Sequence, residues 1–290
     1  MYVLCSAIFQ GTLAANPIPF SVIMPFYKGD KPEHLSDALE SLFAQTLRAD
    51  EVVLVQDGPV TEALLETVSG WQKKMPEINH VVLEKNQGLS AALNAGIKVA
   101  KHEWLARMDA DDICEPVRFE KQLALIHQQA DLAILGSWIT EYDEDMQGEI
   151  AVRKLPETHE EILRYARWRC PFNHMTVMYR KSVLQALGAY KNYGAVGDDY
   201  ELWARFLVNG YISANIQQSL VKARTGTDFY NKRRRGWRYF KNEVREINDL
   251  YRLGLIGPLL WLFHVGIKAV VRFSPPFLVK FIYKGIRKTS

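Results

Sequence analysis

Between Phe20 and Met108 the chain alternates short apolar runs with stretches of helical periodicity, and this alternation limits the possible folds more than any other feature. Phe20-Ser21-Val22-Ile23-Met24 reads as a buried strand closed by Pro25, and His34 to Ala44 places Leu35, Ala38, Leu39, Leu42 and Phe43 at helical spacing. Glu51 to Val55 is a second strand ending at Asp57-Gly58-Pro59, and Thr61 to Lys74 a second helix. His80 to Leu83, Leu89 to Ala100 and Glu103 to Met108 continue as strand, helix and strand. The pattern predicts an α/β fold with a mostly parallel sheet flanked by helices on both faces.

In open sheets of this kind ligands sit beyond the carboxyl ends of the strands. Three features converge on that rim: Pro25-Phe26-Tyr27 after the first strand, Asp57 after the second, and Asp109-Ala110-Asp111-Asp112 after the fourth. Strand ends also carry Asp, Gly and Pro as turn formers, so each alone is ambiguous. Three consecutive ends on one rim favour a site. Carboxylates as close as Asp109, Asp111 and Asp112 repel one another, and a hard divalent cation bound through oxygen would relieve that repulsion. This points to a metal-assisted site for a phosphate-bearing substrate.

With 290 residues, 48 % hydrophobic and 24 % charged, the chain can bury a substantial core and is not of disordered composition. Cys5, Cys114 and Cys170 are odd in number and lie apart from ligand-spaced partners, which excludes a disulfide framework and a zinc site and fits a reducing compartment. Neither Gly-x-Gly-x-x-Gly nor Gly-x-x-x-x-Gly-Lys follows any strand, so a dinucleotide fold and a P-loop lose support.

Phe20 to Tyr27, Val55-Gln56-Asp57-Gly58-Pro59, the run Asn86 to Asn94, and Asp109 to Asp112 resemble, in order and over about residues 20 to 215, the glycosyltransferase family 2 module. Its most similar members are bacterial transferases that build surface polysaccharides. The resemblance implies a GT-A fold, an activated nucleotide-sugar donor, Mn²⁺ or Mg²⁺, and inversion at the anomeric carbon. It assigns the direct metal contact to Asp111, with Asp109 on the cation, a metal-bound water or the ribose. Asp112 would join them or cap the helix from Pro116. Pro25, Tyr27, Asp57 and Asn86 fall in the nucleotide-sugar set, with Tyr27 against the base and Asp57 accepting from a uracil-like N–H.

In the second half, Pro171 to Lys181 reads as a loop entering a strand, where the family often places a polar residue or His. His174 is therefore a candidate contact to donor, metal or acceptor. Gly197 to Phe206 reads as a helix beginning near Asp199, with an acid pair at its N-terminus and Arg205 inward. An inverting transfer needs one carboxylate base. By the family's acid pair Asp199 is that base and Asp198 its neighbour, although the first acid is Asp here and Glu in the family. Trp203 and Arg205 would line the acceptor or pyrophosphate region, or pack.

The domain reading is an N-terminal extension at 1–19, a GT-A domain at 20–220 (donor half about 20–115, acceptor half about 116–220) and a basic helical tail at 221–290. Met1 to Ala15 lacks the leading Lys or Arg of a secretory signal. From Leu250 to Ser290 there are seven Lys or Arg and no Asp or Glu, although the whole chain carries only +3, so the rest is net acidic. Leu255 to Val271, broken by Pro258, His264 and Lys268, is short of the ~20 apolar residues of a spanning helix. With Phe277 to Ile286 it reads as interfacial helices on the cytoplasmic face of the inner membrane, or alternatively as a buried subdomain. A lipid-linked or oligosaccharide acceptor would explain such a tail. Lys232 to Arg235 sits in no recognisable nucleic-acid module. Two other classes stay open: a GT-A-shaped nucleotidyltransferase, which lacks its Gly-rich nucleotide loop here, and a non-catalytic sugar-nucleotide-binding or assembly protein.

Overall fold

The computed structural model describes residues 18–192, 199–225 and 236–273. The alternation appears as β1 (Phe20–Phe26), α1 (Pro32–Phe43), β2 (Glu51–Asp57), α2 (Glu62–Lys74), β3 (Ile78–Leu83), α3 (Leu89–Val99) and β4 (Trp104–Arg107). There follow β5 (Ile113–Cys114), α4 (Arg118–Gln128), β6 (Leu132–Tyr142), β7 (Glu149–Arg153) and α5 (His159–Tyr165). A 3₁₀ turn at His174–Thr176 leads to β8 (Met178–Arg180), α6 (Lys181–Ala186), α7 (Tyr200–Val208), β9 (Ile212–Arg224), α8 (Trp237–Arg252) and α9 (Pro258–Phe273).

The sheet runs β3-β2-β1-β4-β8-β6-β9-β5, with β7 paired to β6. β3, β2, β1 and β4 are mutually parallel, β8 is antiparallel to β4 and β6, and β9 runs parallel to β6. The expected mostly parallel α/β architecture is present. Period-two alternation sends Phe20, Val22, Met24 and Phe26 to the layer of α1, α2 and α4, and Ile23 to the layer of α3 and α7. β1 passes through Pro25 instead of ending there, in register with Val55 of β2. β4 pairs no further than Ile23. Pro25 therefore has no ladder on that side for its missing N–H to break.

At the amino ends of the strands, Glu51 is buried. Its carboxylate accepts from Ser21 Oγ at 2.7 Å and the Lys101 amide at 2.8 Å, tying β1, β2 and the α3–β4 turn together. Burial alone would raise its pKa, but these bonds and Lys101 leave it lowered.

The boundary expected at residue 220 falls inside β9, which continues to Arg224. α8 and the turn after it bury Ile247, Leu250, Leu255 and Ile256 in the same core layer as α3 and α7. The start of the tail is thus part of the folded unit, because its apolar residues complete a face of the sheet that would otherwise be wet. No helix among the described residues is long and apolar enough to cross a membrane. Met1 to Pro17 and Ser274 to Ser290 lie outside the described residues, as do Lys232 to Arg235.

Candidate active site

The carboxylate cluster forms where β4 ends. One ligand atom from each of Asp109, Asp111 and Asp112 lies within 4.8 Å of the others, with Asp112 buried and the other two partly open. Asp112 does not cap the next helix; α4 starts after Val117 with no side-chain cap. Its Oδ1 instead accepts the Arg224 amide at 2.9 Å, while Oδ2 is buried with no hydrogen-bond partner. Buried Arg107 is ion-paired with Asp109.

Two members of this rim escaped the sequence reading. Asp30, in the β1–α1 loop, accepts the Tyr27 amide at 2.8 Å. Burial, then the Asp111 and Asp109 charges, push Asp30 up to about 7 against that bond. An acid four residues past the end of β1 was the available signal. Arg224, at the end of β9, donates Nε to the Asp111 carbonyl at 3.0 Å and Nη2 to Asp37 at 3.2 Å, and also bonds the Glu144 carbonyl. No local signal marks it, since its partners are far away in sequence. Pairing of Ile113 with Lys222 in the β5–β9 ladder places it there.

Burial, followed by Asp109, pushes the Asp111 carboxyl up to about 6, and the same two causes hold Asp112 well above the carboxylate range. The donors are all oxygen and the charges are crowded and only partly offset by Arg107, with one buried oxygen unpartnered. That set fits a hard divalent cation.

Tyr27 is half-buried beside Gly29, where any side chain would collide with its ring. Asp57 is almost fully buried and its carboxylate is engaged: Oδ1 accepts the Gln87 amide at 2.7 Å and Oδ2 the Gly88 amide at 2.9 Å. Asn86 Nδ2 donates to the Asp57 carbonyl at 3.2 Å. Gly58, at φ 83°, lies so close to the Asn86 amide that a side chain would clash. These residues lock the β3–α3 loop to the end of β2. The run from Asn86 ends in Asn94, which bonds both the Tyr190 amide (3.0 Å) and the Tyr190 carbonyl (2.8 Å), joining the two halves of the chain.

His174 packs in an aromatic group with Tyr190 and Trp203, and its Nε2 lies 2.9 Å from Tyr190 Oη. Burial, then Arg107, drives its pKa far down, so the imidazole is neutral. Burial also lifts the neighbouring Tyr179 phenol to about 12. Asp199 precedes α7, accepts from Cys170 Sγ at 3.5 Å, and acts electrostatically on Tyr190, as Arg107 does. The Trp203 amide donates to the Asp199 carbonyl at 3.0 Å, and the Trp203 ring packs against His174 and Tyr190, so Asp199 lies one helical turn from that aromatic group.

Arg205 does not join them. It is buried, with Nε donating to Glu201 Oε2 at 3.0 Å and Nη2 to the Ala189 carbonyl at 2.6 Å, and it also bonds the Leu187 carbonyl. Glu201 is fully buried and takes Lys191 as a further partner at 2.7 Å. The expected acceptor or pyrophosphate role fails because every side of the guanidinium already has a protein acceptor. Trp203 is wholly buried and packs. Asp198 lies outside the described residues.

Residues 21–188 match the model of the family described as Glycosyl transferase family 2. The amylovoran biosynthesis glycosyltransferase AmsE of Erwinia amylovora is 41 % identical over 273 residues, covering 93 % of this chain and 99 % of AmsE. An Escherichia coli UDP-Gal:alpha-D-GlcNAc-diphosphoundecaprenol beta-1,3-galactosyltransferase is 35 % identical over 267 residues, covering 92 % of this chain and 96 % of that one. Among solved structures, S. aureus TarS 1–349 in complex with UDP-GlcNAc superposes with a TM-score of 0.62 at 19 % identity, over 80 % of this chain and 66 % of that one, which establishes a shared fold. From a family match across most of the sheet and relatives aligned almost end to end, the chain belongs to glycosyl transferase family 2.

Proposed function

We propose that this enzyme is an inverting, metal-dependent glycosyltransferase. It moves a sugar from a nucleotide donor, a UDP-sugar, to a hydroxyl of a lipid-linked glycan at the cytoplasmic face of the inner membrane, in bacterial surface polysaccharide synthesis. The observation that carries the reading is the carboxylate rim of Asp109, Asp111 and Asp112, with its unpartnered buried oxygen. The names of the relatives supply the chemical class: a polysaccharide-building transferase and a galactosyltransferase acting on a diphosphoundecaprenol-linked sugar. The fold shared with a UDP-GlcNAc complex supports the same donor class.

Asp111 and Asp109, with Asp112 behind them, would hold Mn²⁺ or Mg²⁺, which when bound neutralises charge on the departing diphosphate. Tyr27 stacks on the base, and Pro25, Asp57 and Asn86 shape the nucleoside end. Asp199 accepts the proton of the acceptor hydroxyl as its oxygen bonds to the anomeric carbon. The bond from that carbon to the diphosphate oxygen breaks on the opposite side, and its electron pair leaves with the nucleotide. One base and no covalent nucleophile are enough. His174, neutral and bonded to Tyr190, holds the wall between Arg107 and Asp199. Asp198 assists as the neighbouring acid.

The base assignment is tested by Asp199→Asn, which keeps the shape and removes proton acceptance. Donor binding by calorimetry should persist while transfer falls by ~10²-fold or more. Asp198→Asn should cost less, and the reverse ranking would hand the role to Asp198.

A further inference from the structure

α9 is amphipathic in the opposite sense to a helix that faces water. Its polar residues point into the protein: Arg272 and Lys268 pair with Glu243 at 2.6 and 2.8 Å, His264 Nε2 lies 2.9 Å from the Arg167 carbonyl, and Trp261 Nε1 donates to Asn248 at 2.7 Å. Its outward face is Leu259, Leu262, Phe263, Ile267, Val270 and Phe273, with Leu259 83 % and Leu262 63 % exposed. These positions follow helical spacing over about 21 Å and include no charge. An apolar stripe of this length turned to solvent marks an interaction surface.

Two further observations say what covers it. Exposed tryptophans border it: the Trp168 ring meets Phe263 edge-on at 5.9 Å in the first half of the helix, and Trp237 lies 6.1 Å from Phe273 at its end. Amphipathic aromatic rings of this kind settle at the boundary between hydrocarbon and headgroups. Beside Trp168, Arg164 in the last turn of α5 and Arg167 and Arg169 just after it are all exposed; Arg164 has Glu161 as an electrostatic neighbour, and none of the three is in a salt bridge among the described residues. An apolar strip edged by exposed cations and tryptophan matches an anionic bilayer in both chemistry and layering.

We propose that the outward face of α9, together with the Arg164–Arg169 turn, is a docking surface for an anionic lipid bilayer, with the arginines at headgroup level. This deepens, and rests on, the reading of an enzyme whose acceptor is lipid-borne. It moves the cationic contact away from the tail: Lys268 and Arg272 are committed to Glu243, and the headgroup charges come from the body of the fold. The same turn is tied to the candidate base, since Tyr200 Oη donates to the Ala166 carbonyl at 2.6 Å and Cys170 reaches Asp199 at 3.5 Å. Docking there sets Asp199 at a fixed distance from the lipid surface, where a diphosphate-anchored sugar would be presented.

The test is flotation of the full-length protein with vesicles of phosphatidylcholine alone or containing one-fifth phosphatidylglycerol. Wild type is expected to float with the anionic vesicles. Leu262→Gln combined with Ile267→Gln, both at exposed positions, should abolish flotation at any salt. The triple change of Arg164, Arg167 and Arg169 to Gln should cut partitioning on the order of 100-fold at low salt, with much less effect at high salt. Flotation unchanged in both variants would overturn the proposal and leave residues 274–290 as the lipid contact. A wild-type dimer in light scattering that becomes monomeric in the Leu262/Ile267 variant, without vesicle binding, would make the face a contact between copies instead. Transfer to a soluble acceptor analogue separates this from the activity. Equal turnover in all three proteins leaves docking as the only thing changed, whereas vesicle binding without turnover in any of them would sink the enzymatic reading and spare the surface.

Discussion

At the residue scale, the rim of β4 and β1 stores charge that the folded protein alone does not balance. Asp30 at about 7, Asp111 at about 6 and Asp112, held well above the usual carboxylate range by burial, retain protons that the unfolded chain has released. Between about pH 4 and pH 7 the folded state therefore binds more protons, so stability contributed by these groups falls as pH rises. Thermal melts of metal-free protein should show a lower Tm at about pH 7.5 than at about pH 5, and Mn²⁺ should raise Tm far more at the higher pH, where it need not displace protons. Equal Mn²⁺ shifts at both would contradict the ligand assignment. Asp111→Ala should abolish Mn²⁺-dependent UDP binding in calorimetry while leaving far-ultraviolet circular dichroism unchanged, because its side chain lies on the rim and not in the core. Arg205→Ala is expected to behave in the opposite way. It leaves Glu201 buried with only Lys191, so it should cost on the order of 3 kcal/mol of stability in urea titrations. The acids at strand ends were legible because turn chemistry and mutual repulsion are local properties. Arg205 was misread because its carbonyl partners at Leu187 and Ala189 belong to a turn that no spacing rule reveals.

At the element scale, α3 lies against β1 and β2 at closest approach through Gly96. An added Cβ would sit 2.7 Å from Ile23 Cγ2 and 3.1 Å from Val55 Cγ2. Gly96→Ala gains about 1 kcal/mol of helix propensity and meets an overpacking cost of typically 1–3 kcal/mol. We expect net destabilisation, read as a lower urea midpoint at unchanged slope; a higher midpoint would mean that the helix can ride up freely. The helices and strands of the first half were readable because amphipathic periodicity reports which face is buried. β1 was cut short because the sequence shows that Pro25 lacks an N–H but not that β4 has already stopped beside it. Arg224 was invisible for a related reason. Its role depends on a ladder between β5 and β9, whose partners are separated by more than a hundred residues.

At the scale of the whole molecule, the tail is two things at once. Ile247, Leu250, Leu255 and Ile256 belong to the core, at about 1.5–3 kcal/mol each for full burial. A chain ended before Trp237 should therefore lose most of a typical margin of ~5–15 kcal/mol and fail to give a cooperative melt. The composition of the tail foretold an apolar, basic segment. Which of its faces would be buried depended on Glu243 and Asn248 of α8, whose positions only the packed structure provides. In the proposed reaction the carboxylate rim and Asp199 together transfer a sugar with inversion. Its most direct test is to incubate the full-length protein with UDP-sugars and a polyprenyl-diphosphate-linked sugar, and to read the anomeric configuration of the product by NMR. The expected product has inverted configuration, forms with Mn²⁺ or Mg²⁺, disappears with EDTA and is lost in Asp199→Asn. A product of retained configuration, or full turnover in EDTA, would contradict it.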